Sequence, residues 1–426
     1  MKSKLLVSAL LVASHSLVAQ SFINFKGKVL DQKSQEPLAS ATISIKNCSI
    51  STMANEVGEF DFHIPTELKN DTLFISFIGY KTFKERISNF TESRVIYLDE
   101  TPVPLKDVTV TSDAARKLIE QALKAIPSVY STQPYLMEGF HRSWEKMETA
   151  DSGSFPGTLI EAAVTIYDPG YSPKKNRKTS KEEIYINEVR RSTLMKAWNY
   201  QVNVLRDMLN KNIIKNNRTS PFIFLKAFLD FPNSLIYEWD GTTQMDGEDL
   251  SIVKIEIPNT RKFPAYYKVY ISDADFAILR FDVVGSKTEI DYSISPWHTD
   301  NLTETYIFKR YQQKPYLSYC KIRYTIKKLD QKLKKVWRTE DYFREFQVNK
   351  VITTEVAAVR KSLVLKKSKE ISLALQAKTY NVTFWKNYNM ILDNPMDREM
   401  VEFFNKSPNK FEKKQVLKAS KLPLHQ

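Results

Sequence analysis

Five histidines, His15, His63, His141, His298 and His425, are the first residues to weigh for hydrolytic or metal chemistry in this chain of 426 residues. A zinc peptidase needs histidines and a carboxylate converging on one ion, and no His-Glu-x-x-His run occurs. His15 sits in an apolar leader and His425 in the tail. His141, Glu145 and Glu161 form the one grouping that two neighbouring strands could assemble, and acid–base catalysis would require them within hydrogen-bond reach. A structural histidine beside solvated acids is the plainer expectation. A serine nucleophile wants a strained Gly-x-Ser-x-Gly turn, a pattern that Ser152-Gly-Ser-Phe-Pro-Gly157 does not have. Cys48 and Cys320, the only cysteines, have no histidine beside them to activate a thiolate. An exported chain could pair them, but two free or buried thiols are expected. Ten glycines leave little room for a phosphate-cradling loop. Asp240-Gly-Thr-Thr-Gln-Met-Asp246-Gly-Glu-Asp249 is acidic but lacks EF-hand spacing and reads as a hairpin turn. These residue types predict no metal, no cofactor and no catalytic residue, and hence a non-enzyme.

Charge points to partners instead. The formal net charge is +14. Lys2 and Lys4 precede an apolar run from Leu5 to Ala13, and Leu17-Val18-Ala19 before Gln20 offers small residues for cleavage. This is the layout of a secretory signal peptide over 1–19, too short and too interrupted by Ser14, His15 and Ser16 to span a bilayer. Without those two lysines the charge is +12 (14 − 2). Basic residues concentrate at 174–181, 327–338 and 406–421. In an exported chain such a balance favours envelope proteins or anionic envelope material (lipid, lipopolysaccharide, polysaccharide) and peripheral membrane association, with no nucleic acid.

The elements that must carry these residues begin with a run of short strands. Ala41, Ile43 and Ile45 alternate with Thr42, Ser44 and Lys46, the two-residue period of a half-buried strand. Phe60, Phe62 and Ile64 alternate in the same way with Asp61 and His63. Leu73 to Ile78 is apolar on both faces, and Val95–Leu98 and Val108–Val110 add short strands. Glu36-Pro37, Gly58 and Pro65 punctuate them. About seven strands at this spacing predict a β-sandwich.

Gly27-Lys-Val29 with Asp31, Pro37-Leu38-Ala39, Ala41-Thr-Ile43, Gly58-Glu-Phe60 and Ile78-Gly79-Tyr80-Lys81 resemble the carboxypeptidase regulatory-like domain. The resemblance covers 22 to 111 and implies a transthyretin-like β-sandwich. Such domains accompany metallocarboxypeptidase units and stand at the N-terminus of many TonB-dependent receptors and related envelope proteins. Leu105-Lys-Asp-Val108-Thr-Val110-Thr-Ser112 is similar to the segment that closes them in envelope proteins. No metallopeptidase unit precedes the domain here. The implied location is the periplasm or outer membrane of a Gram-negative-type envelope.

Beyond Thr101-Pro-Val-Pro104, Leu118, Ile119, Ala122 and Ile126 define a helix stripe that Pro127 is expected to close. Strands follow at Leu136–Trp144 and Thr158–Ile166, separated by a turn at 151–157. Residues 172–183 read as a surface loop, and Leu194, Trp198, Val202, Leu205 and Leu209 recur at helical spacing. Strands then run sequentially through 253–257, 267–271, 276–284, 303–311, 316–327 and 335–346, a meander that must curl to bury its aromatics. The 266–283 hairpin is similar to those of periplasmic lipoprotein-carrier-like half-barrels, in which a curved sheet wraps an apolar groove. That likeness makes Tyr267, Val269, Ile271 and Phe281 candidate ligand-binding residues. The order of Pro134-Tyr-Leu-Met-Glu-Gly139-Phe-His-Arg142, Leu159-Ile-Glu161-Ala162 and Tyr237-Glu-Trp239-Asp240-Gly241 also resembles uncharacterised envelope proteins bearing the same sandwich.

The fold class expected is mainly β with α: a seven-stranded transthyretin-like sandwich, then an α+β domain with a curved antiparallel sheet and flanking helices. The expected division is a signal peptide (1–19), the sandwich (20–111), the α+β domain (112–367) and a helical, irregular extension (368–426). The function expected is non-catalytic envelope binding or assembly. The alternative is a periplasmic carrier or chaperone for a lipid or other apolar ligand.

Overall fold

The computed structural model describes residues 21–46, 48–90, 93–101, 112–149, 153–171, 182–193, 204–210, 212, 214, 235–256, 265–285, 290, 292–293, 295–363 and 381–406. The expected signal peptide, the Val108–Val110 strand, most of the 172–183 loop, the part of the expected 194–209 helix before 204, the basic stretch at 174–181 and all but Lys406 of that at 406–421 lie outside them.

Seven strands form the N-terminal sandwich: β1 (Phe22–Asp31), β2 (Thr42–Ile45), β3 (Ser51–Met53), β4 (Glu59–Pro65), β5 (Thr72–Ser76), β6 (Phe83–Arg86) and β7 (Ser93–Leu98). They make two sheets, ordered β4-β1-β7 and β3-β2-β5-β6. Phe25, Val29, Ile43, Phe60, Phe62, Ile75 and Ile96 fill the space between the sheets. In β4 the alternation is read out directly, with Phe60, Phe62 and Ile64 buried and their neighbours half-buried. β2 departs from expectation. Thr42 and Ser44 are buried as well as Ile43 and Ile45, because a third sheet covers the polar face.

That third sheet has ten strands: β8 (Tyr135–Thr149), β9 (Gly153–Asp168), β10 (Glu183–Thr193), β11 (Ile236–Met245), β12 (Glu248–Glu256), β13 (Ala265–Ser272), β14 (Ile278–Gly285), β15 (Trp297–Tyr311), β16 (Lys314–Asp330) and β17 (Lys335–Ile352). Their order is β10-β9-β8-β17-β16-β15-β14-β13-β12-β11, antiparallel throughout. The last strand thus returns to pair with the first, and the sheet is curved, as an extended twisted sheet must be to bury one face. The β11–β12 hairpin turns at Asp246-Gly247, both at positive φ (55° and 83°), as a two-residue turn with right-handed twist requires. The turn expected at 151–157 is shorter, since β9 already starts at Gly153. β10 begins at Glu183, where the expected surface loop ends.

Five helices are described: α1 (Ser112–Val129), α2 (Val204–Asn210), α3 (Val356–Leu363), α4 (Val382–Asn387) and α5 (Pro395–Lys406). Pro127 does not close α1. The helix runs on because Tyr130 N–H still finds the Ile126 carbonyl at 3.2 Å, and Val129 and Tyr130 are drawn into the core. Ala115, Ile119, Ala122, Leu123 and Ile126 of α1, Leu205, Met208 and Leu209 of α2 and Trp385 of α4 share one core cluster with the sheet, while Met400 and Phe404 of α5 pack with Trp144, Leu159 and Phe343 in a separate one. No described helix is long and apolar enough to cross a membrane.

Candidate functional site

Among the described residues Arg142 stands out as a guanidinium with no exposed surface. It sits between Phe140 and Trp144 on the apolar phase of β8, and a charge there must be fully paired, since leaving it without partners would cost several kcal/mol. Its Nε donates to Glu161 Oε1 at 2.7 Å. Nη1 donates to Asp397 Oδ2 at 3.1 Å and to Glu345 Oε1 at 3.3 Å. Nη2 donates to Asp393 Oδ1 at 2.6 Å and to the Ile391 carbonyl at 3.1 Å. Glu161 is shared with Arg190, whose Nε donates to Oε2 at 2.6 Å, and the Arg190 guanidinium lies 4.7 Å over the Trp385 ring. Tyr319 donates to the second Glu345 oxygen at 3.0 Å.

Four adjacent strands, β10, β9, β8 and β17, and a remote segment build this cluster. β-Register places Glu345 and Glu161 directly across from Arg142 on either side, so all three point to one face. Asp393 and Asp397 arrive from the 388–406 segment, where Asn394 N–H donates to Asp397 Oδ2 at 2.8 Å. Two cations face four carboxylates, and the electrostatics follow from that imbalance. Burial pushes the Glu345 carboxyl up to about 7, with Arg142 opposing and Asp397 assisting. Burial likewise raises Asp393. Glu161 is held below the usual carboxylate range because its two arginines outweigh burial.

The same segment fastens the sandwich. The Asn389 side chain brackets the His63 backbone, accepting from its N–H at 2.7 Å and donating to its carbonyl at 2.9 Å. Asn394 Oδ1 accepts from Glu56 N–H at 2.7 Å, and Arg398 donates to Glu59 at 2.6 Å. Tyr388 donates to the Gly139 carbonyl and Asn349 to that of Asn389. Gln347 on β17 donates to Thr52 at 3.3 Å, and Lys309 on β15 donates to Ser44 at 2.7 Å. Arg142 is therefore the hub of a fastener joining the C-terminal segment, the large sheet and the sandwich.

The His141, Glu145, Glu161 grouping is not assembled. His141 pairs with Ala162 and Arg142 with Glu161, and since successive side chains alternate, His141 and Glu161 face opposite sides. His141 is buried, its Nδ1–H donating to the Glu345 carbonyl at 2.8 Å, and burial pulls its pKa down to about 4. Its Nε2 has no hydrogen-bond partner among the described residues. Cys48 and Cys320 are both free, and burial raises the Cys320 thiol far above its ordinary range.

Tyr267, Val269, Ile271 and Phe281 do share one face, with Tyr267 and Phe281 stacked at 5.9 Å. None is more than 6% exposed. They belong to the core cluster that includes Leu205, Met208 and Leu209 of α2, and Tyr306 donates to the Met208 carbonyl at 3.1 Å. Two features of the sequence mark the Arg142 hub. They are an arginine on the apolar phase between Phe140 and Trp144, and Glu161 inside the apolar run Leu159–Val164.

A sandwich of this topology fixed to a curved antiparallel sheet defines a mainly β, two-part scaffold. Residues 25–110 match the family model of the CarboxypepD_reg-like domain, so the chain carries a domain of that family. No curated protein matches the chain. Solved structures similar to it include one described as an outer membrane lipoprotein-sorting protein domain from Vibrio parahaemolyticus. It is 11% identical, with 59% of this chain and 100% of that one covered and a TM-score of 0.22. A LolA superfamily protein from Nitrosomonas europaea is 8% identical over 56% of this chain and 94% of its own, TM-score 0.19. A membrane-associated protein of unknown function from Bacteroides fragilis is 10% identical over 78% and 97%, TM-score 0.16.

Proposed function

We propose that this chain is a non-catalytic binding or assembly protein of the cell envelope, exported to the periplasm or outer membrane. In this reading the regulatory-like sandwich serves as a rigid accessory to the larger sheet. The division into 20–111, 112–367 and 368–426 is kept, with the last part acting as fastener. The observation that carries this reading is the sealing of the groups capable of chemistry. Arg142, Glu161 and Glu345 are spent on each other, and His141 is buried and neutral. What the chain offers outward is a basic surface for envelope proteins or anionic material. Fractionation of the expressing cells tests the reading. The protein is expected with the envelope and released by high salt, because interactions between exposed charges are screened. Recovery from the cytosol would end it.

The second reading, a carrier for an apolar ligand, must contend with a filled face: Tyr267, Val269, Ile271 and Phe281 are buried in one cluster with Leu205, Met208 and Leu209 of α2. On that reading an acyl chain displaces α2 and lies against Tyr267, Val269, Ile271 and Phe281. Protein purified from envelope extracts is then expected to release about one equivalent of lipid on denaturation. Lipid-free protein that also refuses a fluorescent fatty acid would remove the carrier.

A further inference from the structure

We infer that the β16–β17 hairpin tip is a docking element for an anionic lipid bilayer surface, an inference that rests on the envelope-binding reading. Among the described residues the hairpin extends past the paired parts of both flanking strands. β15 pairs with β16 no further than Trp297 opposite Lys328, and β8 pairs with β17 no further than Thr149 opposite Arg338. Leu329 is still held, buried and with its N–H on the Pro296 carbonyl at 2.9 Å, and residues 330–337 stand beyond it. At roughly 3.3 Å per residue the three residues from Leu329 to the turn apex project on the order of 10 Å, matching the ~5–10 Å depth at which interfacial elements bury their apolar residues.

The tip carries what a bilayer interface selects. Leu333 at the turn is 65% exposed, and Trp297 and Trp337 flank it at 55% and 47%. The register slips between Lys328 and Leu329, leaving Trp337 opposite no strand partner, the extra residue of a β-bulge. Leu333 is presented by a built turn: Asp330 Oδ1 accepts from the N–H groups of Lys332 and Leu333 at 3.0 and 2.9 Å.

Around this apex lie six cations, Lys327, Lys328, Lys332, Lys334, Lys335 and Arg338, against the single carboxylate Asp330 within 327–338. Lys327 pairs with Asp300 at 3.0 Å, and Lys328 and Arg338 both pair with Glu340. Lys332, Lys334 and Lys335 have no ion pair among the described residues and are exposed. Lys328 Nζ lies 5.7 Å over the Trp297 ring and the Arg338 guanidinium 5.0 Å over Trp337. An apolar apex, aromatic shoulders and then cations on long stems reproduce, from the tip backwards, the polarity profile of a bilayer entered from the water. A polysaccharide would leave Leu333 wet, and an acidic protein would not require the overhang. Charge complementarity to anionic head groups therefore chooses the occupant.

The test uses the purified protein and vesicles of phosphatidylcholine and phosphatidylglycerol in equal parts, with pure phosphatidylcholine as reference. Sedimentation is expected with the anionic vesicles alone, weakening as salt rises. Replacing Lys332, Lys334 and Lys335 together by glutamine should lower affinity about a hundredfold, from roughly fivefold per lysine at an anionic surface. Leu333→Asp should lower it about tenfold or more. These side chains are exposed, so unchanged thermal unfolding of both variants is the folding control. Wild-type affinity in both variants would overturn the tip assignment while leaving envelope association in cells intact. Failure of the wild-type protein to bind anionic vesicles at low salt, or uptake of acidic polysaccharide without vesicles, would overturn it equally.

Discussion

Arg142→Met is expected to destabilise the protein by about 3–5 kcal/mol, the cost of removing one partner from a buried ionic cluster. The substitution keeps the length and apolar stem of the side chain. What it removes is the cation that Glu161, Glu345, Asp393 and Asp397 share. Arg190 then faces the carboxylates alone, and it contacts Glu161. The strain should appear first where the fastener is held by side chains rather than by strand pairing, so limited proteolysis within 388–406 should accelerate before the sheet unfolds. Arg142→Lys should fall in between, because an ammonium keeps the charge but cannot present the planar fork that serves Glu161, Glu345 and the two aspartates at once. Urea unfolding of the three proteins checks the order. A loss below about 1 kcal/mol for the methionine variant would mean that the cluster contributes no more than a surface pair.

The pH dependence should show two opposing buried titrations. Glu345 ionises near 7 in the fold and near 4.5 when exposed. Its contribution is complete below about 4.5 and lost as pH rises through 7. His141 protonates only near 4 in the fold against 6.5 when exposed. Its contribution is complete above 6.5 and lost as pH falls through 4. Each amounts to about 3 kcal/mol at about 1.36 kcal/mol per pH unit. Between about 4.5 and 6.5 the slopes cancel, and the wild-type protein should be nearly indifferent to pH there. His63, also lowered by burial, acts with His141, and raised Asp393 acts with Glu345. Glu345→Gln should remove the decline approaching pH 7 and expose a rise from pH 4 to 6.5. His141→Asn should expose the decline from 4.5 to 7. Urea midpoints across this range decide it, and parallel wild-type and variant curves would show that neither group is titrated by unfolding.

Much of the architecture was legible because β-structure writes a short-range code. The Phe60-Phe62-Ile64 alternation, the Asp246-Gly247 turn and the five motifs from Gly27 to Lys81 each depend on residues within one strand or hairpin. That code suffices for a sandwich followed by a curved antiparallel meander. It fails wherever a face is covered from afar. Thr42 and Ser44 read as solvent-facing, yet Lys309 and the large sheet bury them, and only docking of one sheet on another could decide that.

The Arg142 hub fails the same test at greater range. Its residues come from positions 142, 161, 190, 345, 393 and 397, and no periodicity relates them. What brings them together is the return of β17 to β8 and the fold-back of the C-terminal segment. By itself the sequence determined which stretches alternate, where they turn, and that Arg142 occupies an apolar phase. The tertiary structure alone decided what neutralises that charge, because a buried ion's partners are chosen by desolvation energy summed over the whole fold and not by neighbours along the chain.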